Sequence, residues 1–279
     1  MPANEDQIKF WNEKAGRDWV ELQTRMDTNL SNIHAAILAA AAPKAGEAVL
    51  DIGCGTGTTS LALADAVGPT GRVLGVDISE PMLTLAKSRG VGRDNLEFEL
   101  ADASVQAFAP DYDLLFSRFG VMFFDDPIGA FANLHRALKA SGRLVFACWR
   151  TPPENPWAFA PLTAARPLLP PQEPPDPNAP GPFAFADPQR ITSILTDVGF
   201  HDVEIDKFDG LMPMGQDIGV IAAQTLQIGP LSRAAAEADD TTRAKITEAV
   251  RGAMEVYRTP DGEIAPPVGC WLVHAKREG

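Results

Sequence analysis

The chain has 279 residues, 45% of them hydrophobic and 22% charged, enough apolar material for one large core and too much for a disordered or fibrous protein. A net charge of −13 argues against nucleic acid and anionic membranes as partners, because phosphate surfaces need a broad positive field. Three widely spaced cysteines, Cys54, Cys148 and Cys270, make neither zinc spacing nor a disulfide framework and point to a reducing cytoplasm. The polar, acidic opening does not read as a signal peptide, and no apolar run approaches the length of a membrane span.

Strand-like runs then alternate with helix-like segments in chain order: "AVLDI" (48–52), "RVLGVDI" (72–78), "LEFELAD" (96–102), "YDLLFS" (112–117) and "GRLVFACWR" (142–150). This alternation predicts a mostly parallel sheet with helices on both faces. Ser79 as N-cap, Pro81 in the first turn and Gly90 at the end punctuate one helix. Ile128, Phe131, Leu134 and Leu138 fall near helical spacing in another, which runs to a glycine stop. Between Thr151 and Pro182 the chain carries half of its 24 prolines, so residues 151–186 read as an insertion or lid with a short helix around Trp157 to Ala165. Asp187, Pro188 and Gly199 bracket a helix whose stripe is Ile191, Ile194, Leu195 and Val198. "DVEIDKF" (202–208) and "GCWLVHAKRE" (269–278) read as further strands, and the charged helical block before the last one reads mostly as a solvated face.

The informative stretch is "VLDIGCGTGTTSLALADAV" (49–67), a strand ending in Asp51 that opens through Gly53, Gly55 and Gly57 into a helix. Such a turn brings backbone N–H groups close to a ligand where side chains would clash. Thr58 departs from the dinucleotide pattern G-x-G-x-x-G, which sets an NAD-dependent oxidoreductase behind the reading developed next, and no Gly-Lys-Ser/Thr follows to make a nucleotide-hydrolase loop.

"VLDIGCGTG" resembles motif I of class I S-adenosylmethionine-dependent methyltransferases, and "LGVDIS", "FELADA" and "YDLLFSRFGVMFF" resemble the motifs that follow it, in order, over residues 45–150. The opening "FWNEKAGRDWVELQTRMDTNL" is similar to the N-terminal cap of the ubiquinone and menaquinone biosynthesis methyltransferases. The resemblance implies a Rossmann-like, seven-stranded, mostly parallel α/β domain with a helical and proline-rich lid. Its parts are a cap (1–42), a cofactor-binding core (43–150), the lid (151–186) and a C-terminal completion of the sheet with a helical insertion (187–279).

The implied cofactor is S-adenosylmethionine. Asp77 would hold the ribose hydroxyls, Ile78 and Met82 would flank the adenine, and Asp102 with the Ala103 backbone would meet its amino group. Asp51, Gly53, Cys54, Gly55, Gly57 and Ser117 would border the methionine part, and Trp11, Trp19, Phe119, Phe123 and Trp157 are candidates for an aromatic wall near the sulfonium or the acceptor. Each of these rings could equally be ordinary core. Phe119, Phe123 and Trp157 are assigned to the acceptor, and His34 and Arg118 are the catalytic candidates, with His135, His201 and His274 read as structural. Arg118 could meet a carboxylate, phosphate or enolate, or pair with Asp125 or Asp126. No metal site is expected. The reading is methyl transfer to a small, partly hydrophobic acceptor by a cytoplasmic enzyme, with a homodimer allowed and a non-catalytic cofactor-binding regulator as the rival outside enzymes.

Overall fold

The computed structural model describes residues 4–171 and 176–279; residues 172–175 of the anticipated lid lie outside it. Four short helices open the chain, α1 (Glu5–Asn12), α2 (Lys14–Glu21), α3 (Gln23–Asn29) and α4 (Ser31–Ala41). The core then alternates β1 (Ala48–Ile52), α5 (Thr58–Val67), β2 (Arg72–Asp77), α6 (Glu80–Arg89), β3 (Leu96–Leu100), β4 (Tyr112–Arg118), α7 (Pro127–Ala137) and β5 (Leu138–Trp149). Ser79 caps α6 as expected, its side chain accepting from the Met82 N–H. The last part comprises α8 (Pro156–Ala165), α9 (Pro188–Asp197), β6 (Phe200–Leu211), α10 (Ile218–Thr225), α11 (Pro230–Ala234), α12 (Asp240–Glu255) and β7 (Pro267–Arg277).

The seven strands form one sheet in the order β3-β2-β1-β4-β5-β7-β6. β1 to β5 pair in parallel, and β7 runs antiparallel to both of its neighbours. Alternate residues of the central strands feed two layers. Val49, Leu114, Phe116 and Val145 pack with Ile37 of α4 and Leu63 of α5, while Leu50, Leu115 and Phe146 pack with Phe131 and Leu134 of α7 and Leu195 of α9. This is the Rossmann-like mostly parallel sheet that the motif order implied.

Three local readings change. α7 ends at Ala137 and passes directly into β5, whose Leu138 pairs with Tyr112, so the helix stops five residues before Gly142 and the Leu138 side chain belongs to the sheet. Ile128, at helical spacing with Phe131 and Leu134, is 51% exposed while those two are buried. The charged C-terminal block also buries more than its composition suggests. Ile246, Val250 and Met254 form an i, i+4, i+8 stripe on α12 that is fully buried, and α12 packs on α8.

Candidate active site

The strand order reverses at β1: β2 and β3 lie to one side and β4 to the other. In open α/β sheets that switch point opens a crevice beyond the carboxyl ends of the two central strands. Here those ends deliver the glycine turn after Ile52 and the segment Arg118–Phe119–Gly120. The two loops touch backbone to backbone, since a Cβ on Gly53 would lie 2.7 Å from Gly120 Cα. Ser117 locks them together, donating its Oγ hydrogen to Ile52 O at 2.8 Å and accepting the Gly120 N–H at 3.1 Å. Ser117 is fully buried and absent from the cavity wall, which corrects its assignment to the cofactor.

The three turn glycines all have positive φ, but they serve different neighbours. Gly57 (φ 83°) is required by packing, since a Cβ there would sit 2.9 Å from the Phe98 ring, and Gly57 does not line the cavity. Gly55 (φ 55°) is the one with open space in front of it, its nearest would-be neighbour being Met82 Sδ at 3.8 Å. The Gly55 N–H donates to Asp77 Oδ2 at 2.8 Å and the Ser79 N–H to Asp77 Oδ1 at 2.9 Å. Each carboxylate oxygen of Asp77 therefore keeps a lone pair directed elsewhere, and burial raises the carboxyl above its usual range against the pull of those backbone donors. Asp51 lies behind the turn. Its Oδ2 accepts from Thr59 Oγ1 and Ser60 Oγ, both at 2.6 Å, whereas its Oδ1 is buried with no partner. Burial pushes the Asp51 carboxyl up to about 6, against those two hydroxyls and the Arg118 charge.

A cavity of about 1010 Å³ spreads from this turn. Its walls include, of the anticipated residues, Trp11, Trp19, Gly53, Cys54, Gly55, Asp77, Ile78, Met82, Asp102, Ala103, Arg118, Phe119, Phe123 and Trp157. Cys54 is a buried thiol pushed upward by that burial and then by the Asp77 and Asp51 charges, so it serves as packing rather than as a nucleophile. The aromatics form two groups. Phe119 stacks on Trp149 at 4.1 Å with planes 8° apart, and Trp149 contacts Trp157 at 4.8 Å. Trp11 meets Trp19 and Phe123 edge to face at 6.1 and 5.3 Å. Phe119 holds φ 71°, a strained conformation for an aromatic residue, which its ring stack and the Phe119 N–H bond to Ala147 O sustain.

His34 is corrected. It sits half-buried on α4 away from the cavity wall, with its Nδ1 buried and unpartnered. Burial, then the Arg118 charge, push its pKa down to about 4 against the pull of Asp27, so near neutral pH it is an uncharged packing residue. Arg118 does line the cavity, but it pairs with neither Asp125 nor Asp126, and its Nη1 is buried without a partner.

The structure adds residues that no motif marked. Asn4, 3% exposed with φ 55°, donates its Nδ2 hydrogens to both Asp102 oxygens at 2.9 and 3.1 Å and accepts the Asp125 N–H at 2.8 Å. Asn12 bridges Ile78 O and the Glu80 N–H, and Ser79 Oγ donates to Trp11 O at 2.8 Å. Asp27 accepts from Thr58 Oγ1 at 2.6 Å and pairs with Arg89 at 3.1 Å. The N-terminal helices are thus fastened to the three segments that carry the motif acids and the glycine turn. From residues 151–186 and the C-terminal part, Leu162, Phe183, Met212, Met214 and Leu231 add apolar lining to the same cavity. Among the described residues no group of three His, Cys, Asp or Glu could hold a metal, and no helix is long and apolar enough to cross a membrane.

This geometry resembles that of class I, S-adenosylmethionine-dependent methyltransferase domains in three respects: the reversed seventh strand, the glycine turn at the switch point, and an acid at the end of the second strand beside it. A methyltransferase-domain family model matches residues 49–142. The chain is 42% identical over 115 residues to demethylmenaquinone methyltransferase of Clavibacter sepedonicus, covering 41% of this chain and 46% of that protein. It is 30% identical over 163 residues to phosphoethanolamine N-methyltransferase 1 of Triticum aestivum, covering 57% of this chain and 29% of that one. The matched stretches therefore span less than half the length of these relatives. In fold, the chain is similar to Haemonchus contortus phosphoethanolamine N-methyltransferase 2, solved with phosphomonomethylethanolamine and S-adenosylhomocysteine, with a TM-score of 0.54 at 19% identity over 89% of this chain and 53% of that one. The domain resembles the ubiquinone and menaquinone group, and nothing in these likenesses favours a nicotinamide oxidoreductase.

Proposed function

We propose that the chain transfers a methyl group from S-adenosylmethionine to a small, partly hydrophobic acceptor. The observation that carries this reading is one continuous cavity with a glycine turn and two acids at one end and an apolar, aromatic wall at the other, so that a donor and an acceptor can meet in it without crossing solvent. S-adenosylmethionine supplies the electrophilic methyl group on its sulfonium.

The residues fit that cofactor. Asp77 is oriented by two backbone N–H groups and retains acceptor capacity for a ribose diol. Asp102, held by Asn4 and by the Ser104 N–H at 2.9 Å, faces the adenine end with Ala103, Ile78 and Met82. The open cradle in front of Gly55 leaves room for a chain running over the turn. Asp51 lends negative potential beneath it. Trp11 and Trp19, pinned by the contacts of α1 and α2 with the core, close the roof, and Phe119, Phe123 and Trp157 form the acceptor's aromatic wall.

Among the described residues the cavity wall contains no histidine, glutamate, lysine or tyrosine. Its acids are Asp77 and Asp102, committed to the cofactor end, and the exposed Asp176 at the lid. In this reading the described wall serves alignment and exclusion of water, and the acceptor brings its own nucleophilicity. In the same reading residues 151–186 act as a lid, the protein is cytoplasmic with a homodimer allowed, and a net charge of −13 disfavours nucleic-acid acceptors.

Calorimetric titration of ligand-stripped protein with S-adenosylhomocysteine, with NADH as control, tests the reading. Binding of the former alone is expected and leads to an acceptor screen with labelled methyl groups. Binding of NADH alone overturns it, and cofactor binding without turnover on a broad panel would favour a regulator.

A further inference from the structure

Among the described residues the cations that line the cavity are Arg118 and Arg233. Arg233 rests on the cap, its guanidinium 4.0 Å above the Phe10 ring. Arg118 has no such seat. Its Nη1 is buried without a hydrogen bond, and the carboxylates that act on it through space make none to it among the described residues. Asp27 holds Thr58 and Arg89, and Asp51 Oδ2 holds Thr59 and Ser60. A buried guanidinium with unmade hydrogen bonds is costly in a protein that keeps nothing there, and its donors match a carboxylate.

Position says which carboxylate. Arg118 ends β4, and Asp51, one residue before the end of the neighbouring β1, is paired with Phe116. Side chains alternate along a strand, so Arg118 projects to the same face as Phe116 and Asp51, the face of α4 and α5. Its charged neighbours, Asp51, Asp27 and Arg89, hold the glycine turn and the start of α5: Arg89 donates to Thr56 O, Asp27 accepts from Thr58 and Asp51 from Thr59. Along the cavity floor the order is thus Asp102, Asp77, Gly55 and then Arg118. We infer that Arg118 is the receptor for the α-carboxylate of an amino-acid tail that runs from Asp77 across the glycine turn, which makes it a cofactor-selecting residue rather than a catalytic one. The inference rests on the cofactor reading above.

The test compares S-adenosylhomocysteine with its decarboxylated analogue, 5′-deoxy-5′-(3-aminopropylthio)adenosine, by calorimetry on the full chain. Wild-type protein should prefer the carboxylate-bearing ligand by roughly 10- to 100-fold, the range for a hydrogen-bonded charge. In Arg118→Met the preference should collapse to about threefold or less, through weaker binding of S-adenosylhomocysteine with the analogue unchanged, and Arg118→Lys should keep part of it. A preference that survives Arg118→Met, or equal loss for both ligands, overturns the assignment. Should the methionine variant fail to fold, the wild-type comparison still decides, because equal affinity for the two ligands overturns the assignment without any variant. If neither ligand binds wild-type protein, the cofactor reading has failed and this one with it, an outcome distinct from binding without discrimination.

Discussion

Alanine at Gly53 and alanine at Gly55 differ in one respect only, what the new methyl group meets. Both positions have φ near +60°, so each substitution forces a Cβ residue into the left-handed region at a cost of about 1–2 kcal/mol. Each also stiffens the unfolded chain, which returns about 0.4–1 kcal/mol equally to both. At Gly55 nothing more is added, because the nearest atom is the flexible Met82 sulfur at 3.8 Å. At Gly53 the methyl would press on Gly120 Cα at 2.7 Å, backbone against backbone, at the junction that Ser117 ties to Ile52. Overpacking of this kind costs a further ~1–3 kcal/mol. Urea unfolding should therefore find Gly53→Ala less stable than Gly55→Ala by about 1–3 kcal/mol. Titration with S-adenosylhomocysteine should show the reverse ranking in function, with Gly55→Ala stable but weakened in binding because its methyl occupies the ligand's cradle. Equal destabilisation, or a greater loss at Gly55, would refute the division of labour between the two glycines.

Asp77→Ala should weaken S-adenosylhomocysteine binding by roughly 1–3 kcal/mol, since it removes charged hydrogen bonds to the ribose and releases the Gly55 and Ser79 N–H groups; unchanged affinity by calorimetry would dismiss the ribose role. Asp51 makes stability depend on pH. Its folded value of about 6 lies above the ordinary 3.8 of an aspartate, so the folded state holds the proton more tightly and stability falls as pH rises through the interval between them. Asp51→Asn lacks that loss, and its stability relative to wild type should improve by about 1.4 kcal/mol between pH 5 and 7.5, one pKa unit's worth. A pH-independent difference in paired urea unfolding curves would mean that Asp51 is not held up by burial. Taking the difference between variant and wild type also removes the opposite contribution of His34, whose depressed value makes stability fall as pH drops below its ordinary range.

Much of the cofactor end was legible in residue order. The apolar runs ending at Asp51 and Asp77, the cap at Ser79 and the alternation of strands and helices are local signals, and a parallel sheet with its crevice beyond β1 and β4 follows from them with little freedom. The acids at 77 and 102 and the open glycine at 55 lie on segments adjacent to those strand ends, so chain position already placed them on one rim. Local pattern could not separate glycines kept for a ligand from glycines kept for packing: Gly57 answers to Phe98 and Gly53 to Gly120, partners 41 and 67 residues away. Ser117 and His34 were misplaced for the same reason. Whether a hydroxyl faces a cavity or a neighbouring carbonyl, and whether an imidazole is wet or buried, depends on which element packs above it. Asn4 and the apolar wall from Phe183, Met212, Met214 and Leu231 carry no motif at all, and nothing in the motif around Phe119 marks its left-handed backbone. They come to the site from segments far apart in the chain, and it was the folding of the N-terminal helices, the proline-rich segment and the C-terminal helices against the sheet that gave them a common surface. Local chemistry along the chain determined the sheet and the place where a ligand must sit; long-range packing alone decided the shape of the space around it.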